Sequence, residues 1–485
     1  MTHGSGDHDA VSATTRGSDE HNSYTPVPAS ETDPMSNPPD DSARDGALTP
    51  SRRRYLAGVA SAAAATGAAG CLDGWGHATL DRSQADFDPD PLPGDRTYPD
   101  DDGVTMFRRG LRRLGYYPDA TVPDSVTVNW QFPANYIGHT AAKASPRPAP
   151  DGETIVIPAD TGLVHAVGPK GRHQWTQRTG ATSLGIHGTP AIVDGIAYIG
   201  GYDGDLYAFD VGTGEQVWRT SRMAFDGAIA IGSSPAYWDG VLYVVVEYNN
   251  PPAGTLWAVD ADTGRPLWSD DRLWGMPHPS VSIDPEHERL ITASNDGVCY
   301  CWEFPSLAFE WSFQTGAEIK GTIPQYEGRA FVGSWDGNFH CLDTATGEGL
   351  WSFETGQIIM SNPGIDPDTG IVYMGSDDEH VHALDMETGD VVWSRDVGGH
   401  VIGSVTVTAD AVLVGSYDRN LYALEKDTGE IRWTVPNNGH VTSAAVPHDG
   451  RIYYAERADI TGYWNDDEST TVRAPGHAYC LVDDS

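Results

Sequence analysis

Lysine is scarce in this sequence, and basic side chains as a whole are far outnumbered by acidic ones. Lys143, Lys170, Lys320 and Lys426 are the only lysines in 485 residues, and 30 basic residues stand against 69 acidic ones, for a formal net charge of −39. The phosphate backbone of nucleic acids repels such a charge. We therefore predict no nucleic-acid partner and interpret most of the carboxylates as a solvated coat.

Cysteine and long apolar runs are also rare. The five cysteines (Cys71, Cys299, Cys301, Cys341 and Cys480) form no C-x-x-C pair, which argues against a zinc site and a disulfide framework. After residue 71 no apolar stretch is long enough to span a bilayer. What is abundant is glycine (55), proline (33) and aromatic residues (15 Trp, 21 Tyr and 11 Phe). This composition favours many short strands over long helices.

The N-terminal part of the chain divides into three segments by composition. Residues 1–50 hold almost no aromatic or branched apolar side chains and are predicted to be disordered, with Met35 as an alternative start to Met1. Residues 51–71 (SRRRYLAGVASAAAATGAAGC) contain a twin arginine, an Ala/Gly-rich run and a final cysteine. Residues 72–103 form an acidic linker rich in proline and glycine. We predict the folded domain to be 104–485.

Segment 51–71 resembles a Tat export signal that ends in a lipoprotein cleavage box. This resemblance implies export in the folded state and lipid attachment at Cys71, which would anchor the protein at the outer face of the cytoplasmic membrane. An uncleaved N-terminal membrane anchor is the alternative. The acidic, lysine-poor composition resembles that of proteins from extremely halophilic archaea, so we expect a haloarchaeal exported lipoprotein.

A repeated sequence motif runs through the rest of the chain. Its units close on tryptophans spaced 45, 43, 50, 43, 40, 42 and 40 residues apart, and such a period is typical of the blades of a β-propeller. These tryptophans are Trp130, Trp175, Trp218, Trp268, Trp311, Trp351, Trp393 and Trp433. Within a unit, segments such as YIGGYDGDLYAFDVGTGEQVW alternate strands with Asp-Gly and Thr-Gly turns.

The count of units predicts how the ring closes. Eight strands of the LYALD type begin near positions 163, 206, 256, 298, 339, 381, 421 and 477, and the last has no tryptophan strand after it. Conversely VTVNWQF (126–132) is a tryptophan strand with no unit before it. We therefore predict an all-β, eight-bladed propeller in which the N-terminal strand completes the C-terminal blade and leaves no open edge. Seven blades and a stray strand are the fallback.

The motif A-x-D-x-x-T-G-x-x-x-W, present at Ala208–Trp218 and Ala258–Trp268 and in variant form elsewhere, resembles the tryptophan-docking repeat of the PQQ-type propellers. That group includes quinoprotein dehydrogenases and BamB-like assembly proteins. The resemblance implies that each indole packs on the small Ala position and on the Gly of a neighbour, and so joins adjacent blades. Cys301, Cys341 and Cys480 stand at the Ala position, so we predict buried, inert thiols there.

The resemblance leaves two functions open. A quinoprotein dehydrogenase oxidising an alcohol or sugar would bind PQQ and calcium, but its adjacent cysteines are absent, and Cys299-Tyr-Cys301 is the nearest approach. No other catalytic motif stands out. A BamB-like propeller has short loops and holds partners on one face. We therefore predict a non-catalytic scaffold without a cofactor that binds cell-surface or membrane proteins.

Aligning the starts of the inner strands places one set of side chains at the central funnel. They are Lys143, His187, Trp274, Glu318, Lys320, His400 and His440. Cations at the mouth of an acidic molecule can receive an anion or a partner's carboxylate, although polar side chains also line any water-filled channel. The segment EYNNPPAG (247–254) is predicted to be a loop that either contacts a partner or is a neutral insertion.

Two further groups have alternative interpretations. Asp203, Asp336 and Asp418 stand at corresponding positions of repeated turns, and we interpret them as turn residues because one carboxylate per hairpin is too few for calcium. The basic cluster FRRGLRRLGYYPD (107–119) is expected to pack along the propeller's rim, with its aromatic residues buried and its arginines paired to carboxylates. A patch for anionic lipid or for a partner is the alternative.

Overall fold

The computed structural model describes residues 104–138, 143–460 and 471–484. The predicted disordered segment (1–50), the signal with Cys71 (51–71) and the linker (72–103) lie outside these residues. No helix among the described residues is long and apolar enough to cross a membrane. Two short 3-10 turns, Phe107–Arg109 and Arg222–Phe225, interrupt a structure that is otherwise built from strands.

Eight antiparallel four-stranded sheets, the blades, account for almost all strands. In chain order they are blade one (Arg147–Pro148, Ile155–Pro158, Leu163–Val167, His173–Arg178), blade two (Ala191–Val193, Ile196–Gly200, Leu206–Asp210, Gln216–Thr220), blade three (Ala236–Trp238, Val241–Asn249, Pro252–Asp260, Pro266–Trp274), blade four (Ser282–Asp284, Arg289–Ala293, Val298–Glu303, Phe309–Gln314), blade five (Gln325–Tyr326, Arg329–Gly333, Asn338–Asp343, Gly349–Glu354), blade six (Gly364–Asp366, Ile371–Gly375, His380–Asp385, Val391–Asp396), blade seven (Thr406–Thr408, Ala411–Gly415, Asn420–Glu425, Ile431–Pro436) and blade eight (Val446–His448, Arg451–Ala455, Gly476–Asp483, Val126–Asn135). A ninth, two-stranded sheet joins Asp459–Ile460 to Val472–Ala474.

The first strand of each blade is buried and the fourth faces solvent. Ala191–Val193 and Ser282–Asp284 are buried throughout, whereas Val391–Asp396 is exposed at four of its six positions. The apolar clusters of the core lie between neighbouring blades. One, for example, joins Cys299 and Cys301 of blade four to Ala330 and Val332 of blade five.

The prediction of ring closure is confirmed. Val126–Asn135 pairs antiparallel with Gly476–Asp483 and forms the outer strand of blade eight. The indole N–H of Trp433 in blade seven donates to the carbonyl of Pro123, just before this strand. Blade eight therefore combines strands from the two ends of the propeller sequence, and this pairing closes the ring.

The tryptophan docking that the repeat predicts is also present. A docked indole such as that of Trp175 has its small partner residue in its own blade and its glycine in the next blade. Trp175 pairs across the sheet with the small residue Ala166 of its own blade. Its ring lies against Gly214 of the next blade, where a Cβ would come within 2.6 Å of Cδ2, and its N–H donates to the carbonyl of Val211 at 2.8 Å. Because Gly214 has a φ of +76°, both the turn and the indole require glycine there.

Blade four departs from this pattern, as its degenerate sequence suggests. Leu307, with a φ of +59°, stands in its turn where other blades have glycine. Trp268 of blade three packs instead into an apolar cluster with Trp302, Phe304 and Leu307. Apolar contact replaces the close approach between indole and glycine at this one junction.

The prediction for the basic cluster 107–119 is wrong in its location. Segment 104–120, here called the plug, lies on the axis of the ring and contacts the inner strands of six consecutive blades. Val104–Thr105 adds a fifth strand to blade two, and Tyr116–Tyr117 adds a parallel fifth strand to blade seven. Between them, the carbonyls of Leu111, Arg112 and Leu114 accept N–H bonds from Ile283, Gln325 and Ile365 of blades four, five and six.

Two buried arginines hold the plug through backbone carbonyls and not, as predicted, through carboxylates. Arg108 donates to the carbonyls of Val405 (3.0 Å) and Arg113 (2.9 Å), and also to that of Pro363. Arg113 donates to the carbonyls of Val281 (2.8 Å), Phe107 (2.9 Å) and Pro235 (3.1 Å). Burial lowers the pKa of Arg108 to about 9, although Tyr117 opposes the shift. Only the outlying arginines have carboxylate partners: Arg109 with Asp119 and Arg112 with Asp284 and Glu286.

Candidate functional site

A belt of hydrogen bonds separates the plug from the opposite mouth of the channel. Just before its inner strand, each blade presents a backbone N–H or a small polar side chain to the next blade. The bonds run Ser145 N to Thr189 Oγ1 (3.0 Å), Thr189 N to Ser234 Oγ (2.9 Å), Ser234 N to Ser280 Oγ (2.9 Å), Ser280 N to Thr322 Oγ1 (3.1 Å), Thr322 N to Asn362 Oδ1 (2.6 Å), Asn362 Nδ2 to Ser404 Oγ (2.9 Å) and Ala444 N to Ser145 Oγ (2.9 Å). The residues that precede the belt form the floor of a funnel.

Lys143 reaches across this floor. It precedes the belt residue Ser145 in blade one, and its Nζ donates to the carbonyl of Met360, at the start of blade six, at 2.9 Å. Burial lowers the pKa of Lys143 to about 7, and the nearby cations Arg457 and Lys320 add to the shift while Asp377 opposes it. Lys143 thereby joins blade one to blade six across the floor.

Lys320 and Glu318 lie on the blade-five side. The Nζ of Lys320 lies 4.0 Å from the centroid of the Trp335 ring, a cation–π contact. Burial lowers the pKa of Lys320, while Glu318 and Glu247 raise it. The backbone N–H of Trp335 donates to the carbonyl of Glu318.

His400 and His440 flank one tyrosine on the blade-seven side. The rings of His440 and Tyr417 stack with centroids 4.3 Å apart, and the His400 ring meets Tyr417 edge-on at 6.0 Å. The Nδ1 atom of each histidine lies within hydrogen-bond distance of a hairpin carbonyl, that of Asp377 for His400 (2.7 Å) and that of Tyr417 for His440 (2.6 Å). Burial and the neighbouring Arg457 and Arg419 lower the pKa of His440.

His187 completes the set on the blade-two side. It is 6% exposed and its ring lies on Tyr202, with centroids 3.8 Å apart. Tyr202 in turn interacts with the buried Glu247, and this carboxylate and burial raise the tyrosine's pKa well above its ordinary value. Glu247 also lies 3.4 Å from Nδ1 of His278.

Trp274 is held through its backbone. Its backbone N–H donates to Asp296 at 3.2 Å and its carbonyl accepts from Ser294, both in the adjoining hairpin of blade four. Six of the seven predicted side chains thus approach one another around the funnel through Tyr202, Trp335, Asp377, Tyr417 and Arg457.

Those linking residues were not predicted, although most of them share a signal in the sequence. Tyr202, Trp335, Asp377 and Tyr417 each stand one place before the turn aspartate of a repeated hairpin (YDGD, WDGN, DDEH and YDRN). Aligning hairpins as well as inner strands would have found them. The corresponding hairpin of blade eight has a different sequence, so aligning the hairpins would not have located Arg457.

The interpretation of the turn aspartates is confirmed. Asp203 accepts from the N–H of Asp205 and the hydroxyl of Tyr207, and Asp418 accepts from the N–H and the side-chain amide of Asn420. Asp336 accepts N–H bonds from Asn338 and Gly316. Each carboxylate is therefore used by its own turn or by the adjoining loop.

The predicted loop 247–254 is instead an extended hairpin. Strands Val241–Asn249 and Pro252–Asp260 pair along their whole length, and Asn250 and Pro251 form the turn. The apolar run VLYVVVEY continues its alternation through Glu247, which is why the strands extend. Glu247 points into the funnel and not towards a partner at the surface.

Within the described residues, side chains spaced to hold a metal ion come together at one place, Asp284, Glu286 and His287. It lies on the plug side of the belt, and Arg112 already pairs with Asp284 (3.0 Å) and Glu286 (2.7 Å). Cys299 and Cys301 are free thiols buried between blades four and five, and burial raises the pKa of both. Cys341 and Cys480 are likewise free and buried, as predicted.

Comparison with known proteins agrees with this architecture. The family model described as outer membrane protein assembly factor BamB matches residues 123–271, 253–366 and 360–463. The chain belongs to this family. Serine/threonine-protein kinase AfsK of Streptomyces coelicolor is 26% identical over 223 residues, which are 44% of this chain and 24% of that protein. BamB of Yersinia pestis is 25% identical over 221 residues, 43% of this chain and 53% of that protein.

Among solved structures, the quinohemoprotein alcohol dehydrogenase of Comamonas testosteroni superimposes with a TM-score of 0.61 at 15% identity, covering 78% of this chain and 80% of that one. At this identity the likeness shows the fold alone. The chain spans about half or less of the length of the curated relatives it matches. The eight-bladed BamB-like propeller is thus shown, whereas what it binds or catalyses is not carried over.

Proposed function

We propose that this propeller is a non-catalytic scaffold that binds a protein partner at the funnel mouth. The observation that carries the proposal is the bond from Lys143 across the floor to Met360. Together with the plug beneath the belt, this bond makes the funnel a shallow, side-chain-filled surface. A surface of this kind suits contact with another macromolecule better than enclosure of a small substrate.

The chemistry of the surface indicates what it would contact. Lys320 and Arg457 place cationic groups over the aromatic rings of Trp335 and Tyr417, and the imidazole of His400 meets Tyr417 edge-on. Arginine and aromatic residues are enriched at protein interfaces, and cations on a molecule of net charge −39 attract carboxylates. The partner's contacting segment is accordingly acidic. The name of the BamB relatives, outer membrane protein assembly factors, supports a protein partner.

The place of action in this proposal is the cell surface. Residues 51–71, with Arg52–Arg54 and Cys71, direct the folded protein through the Tat pathway and attach it by lipid to the outer face of the cytoplasmic membrane. Replacing the twin arginine by lysines should retain the protein in the cytoplasm. Mass spectrometry of the mature N-terminus tests for a diacylglyceryl group on Cys71, and an unmodified Cys71 in the membrane fraction would contradict lipid anchoring.

Photo-crosslinking in cells tests the scaffold. A photoreactive residue replaces His400 at the mouth, and a second variant carries it at Lys170, in the turn between the outer strands of blade one at the other end of the ring. We expect one discrete adduct from position 400 and none from 170. Adding Lys320→Glu and His440→Glu should abolish the adduct without unfolding the propeller. An adduct unaffected by these charge reversals would contradict the proposal.

A PQQ- and calcium-dependent dehydrogenase is the second candidate, favoured by the likeness to the Comamonas enzyme. The carboxylates of PQQ would find cations at Lys143, Lys320 and Arg457. Calcium fits less well, because it takes six to eight oxygen ligands and the three-residue cluster in the described chain lies beyond the belt, paired with Arg112.

Titration of the purified protein with PQQ and Ca²⁺ distinguishes the two functions. Tryptophan fluorescence reports binding, and dye reduction with an alcohol mixture reports turnover. Saturable quenching with turnover would replace the scaffold by the dehydrogenase. Absence of both in a sample that still forms the His400 adduct would eliminate the dehydrogenase.

A further inference from the structure

A second cavity lies on the plug side of the belt, far from the funnel. Plug strands pair with the inner strands of blades two and seven, whereas within the described residues no plug strand pairs with those of blades eight and one. The space left beside these two strands is a cavity of about 450 Å³. A cavity of this size can hold a small ligand. Because it is separate from the funnel, an inference about it does not depend on the proposed function.

A buried arginine without a partner lines this cavity. Arg147, in the inner strand of blade one, is 3% exposed. Its Nε and Nη2 atoms have no hydrogen-bond partner among the described residues. A buried guanidinium in this state costs free energy unless a ligand supplies the missing acceptors. The arginines of the plug have carbonyl or carboxylate partners, whereas these two donors of Arg147 remain unused.

The surroundings of Arg147 leave a net positive site. Arg109 is paired with Asp119 at 3.4 Å, and His448 with Asp449 at 3.6 Å. Arg451 also lines the cavity, and its Nε has no hydrogen-bond partner either. Two guanidinium groups among the cavity's lining residues thus each keep at least one N–H without a hydrogen-bond partner among the described residues, in a protein whose overall charge is strongly negative.

The rest of the lining is apolar. Val104, Pro148, Val446 and Leu481 contribute to the walls. The Thr105 hydroxyl, which donates to the carbonyl of Pro148 at 3.2 Å, fixes the plug at one edge of the cavity. A ligand that fills this space must therefore combine an anionic group with an apolar body.

We infer that this cavity binds a carboxylate attached to an apolar body, with Arg147 as the residue that recognises the carboxylate. The Nε–H and one Nη–H of a guanidinium form parallel donors that match the two oxygens of a carboxylate. These are the two donors that Arg147 leaves unused. Such a carboxylate belongs either to the C-terminus of a chain or to a free organic acid.

Calorimetric titration of the full-length protein with defined probes tests this inference. N-acetyl-phenylalanine represents a chain terminus, 3-phenylpropionate a free acid, and N-acetyl-phenylalanine amide is the neutral control. We expect saturable binding of one or both acids and at least tenfold weaker binding of the amide. Whichever acid binds more tightly identifies the source of the carboxylate. Equal binding of acid and amide, tighter binding of inorganic phosphate, or no binding at millimolar concentration would overturn the assignment.

Two variants separate recognition from structure. Arg147→Met should weaken acid binding at least tenfold, yet the free protein should be as stable as the parent or more so, because an unpaired buried charge is removed. Arg147→Lys keeps the charge but loses the paired donors, and should also weaken binding. Arg329→Met, at the start of the second strand of blade five and outside the cavity, is the matched control and should bind normally. Unchanged binding by both Arg147 variants would refute the role of this residue.

Discussion

At the scale of single residues, the contact between indole and glycine decides how tightly neighbouring blades approach. Gly214→Ala would place a Cβ 2.6 Å from Trp175, whereas Gly195, with a nearly equal φ of +78°, has no atom within 4 Å of such a Cβ. Both substitutions carry the backbone cost of a positive φ, about 1 kcal/mol. We expect Gly214→Ala to lower the free energy of unfolding by about 1–3 kcal/mol more than Gly195→Ala does.

Urea denaturation followed by tryptophan fluorescence measures this difference, and the Gly195 variant serves as the reference for backbone strain. Equal losses in the two variants would mean that the indole moves aside without cost. The docking contact would then be a consequence of the blade geometry and not a constraint on it.

Lys143 allows a second test at this scale. With its pKa lowered to about 7, its amine is largely neutral at pH 8, whereas an ordinary lysine titrates near 10.4. We expect its rate of reductive methylation, followed by peptide mass spectrometry, to level off above about pH 8, with exposed Lys170 as the reference. A rate that rises together with that of Lys170 up to pH 10 would contradict the burial of this charge.

The same shift predicts the direction of a stability change. Between about pH 7 and pH 10 the unfolded chain binds a proton at Lys143 that the folded chain does not, so stability should rise with pH in this window. Lys143→Met removes the group and should flatten the rise. Parallel pH profiles for parent and variant, measured by urea denaturation, would be inconsistent with the assigned pKa.

At the scale of elements, the plug depends on arginines that satisfy carbonyls of several blades. Arg113→Met would leave the carbonyls of Val281, Phe107 and Pro235 without this donor. We expect a loss of about 3–5 kcal/mol in unfolding free energy. Arg109→Met, whose carboxylate partner Asp119 is exposed, should cost much less when both variants are compared by urea denaturation. Similar losses of unfolding free energy in the two variants would show that removal of the positive charge, and not loss of the carbonyl hydrogen bonds, causes the destabilisation.

The plug also marks the limit of what the sequence predicts. The tryptophan period, the T-G turns and the unpaired strand at 126–132 were enough for eight blades and their closure, because each feature recurs or has a visible complement. Arg108 and Arg113 do not recur, and their partners are backbone carbonyls, which have no side-chain signature. An arginine-rich segment in an acidic chain therefore suggested carboxylate partners, and the axial position was missed.

The funnel was predicted in part for a similar reason. The register of the inner strands located Lys143, Lys320, His400 and His440 because these residues precede repeated small polar residues. The side chains that join them, such as Tyr417 and Asp377, come from hairpins of a different strand pair. Only the folded ring brings the two sets together.

At the scale of the whole molecule, the net charge of −39 opposes compaction. Repulsion between surface carboxylates is screened by salt, with a Debye length of about 10 Å at 0.1 M and about 3 Å at 1 M. We expect the melting temperature to rise by several degrees between 0.1 M and 2 M KCl. Circular dichroism in KCl measures it, and an equal rise in sucrose of matched osmolality, or no rise at all, would exclude charge screening as the cause.

The axial position of the plug has a consequence for biosynthesis. Residue 108 leaves the ribosome long before Val405, the carbonyl that its guanidinium binds 297 positions later, and strand 126–135 waits for its partner at 476–483. Blades one to seven can form one after another during translation, and the plug can bind blades two to seven once residue 408 has left the ribosome. Blade eight is completed only after strand 476–483 has emerged to pair with 126–135. A nascent chain that has not reached this strand would therefore hold its plug and seven blades in an unclosed ring, and synthesis of residues 476–483 is the step that closes it.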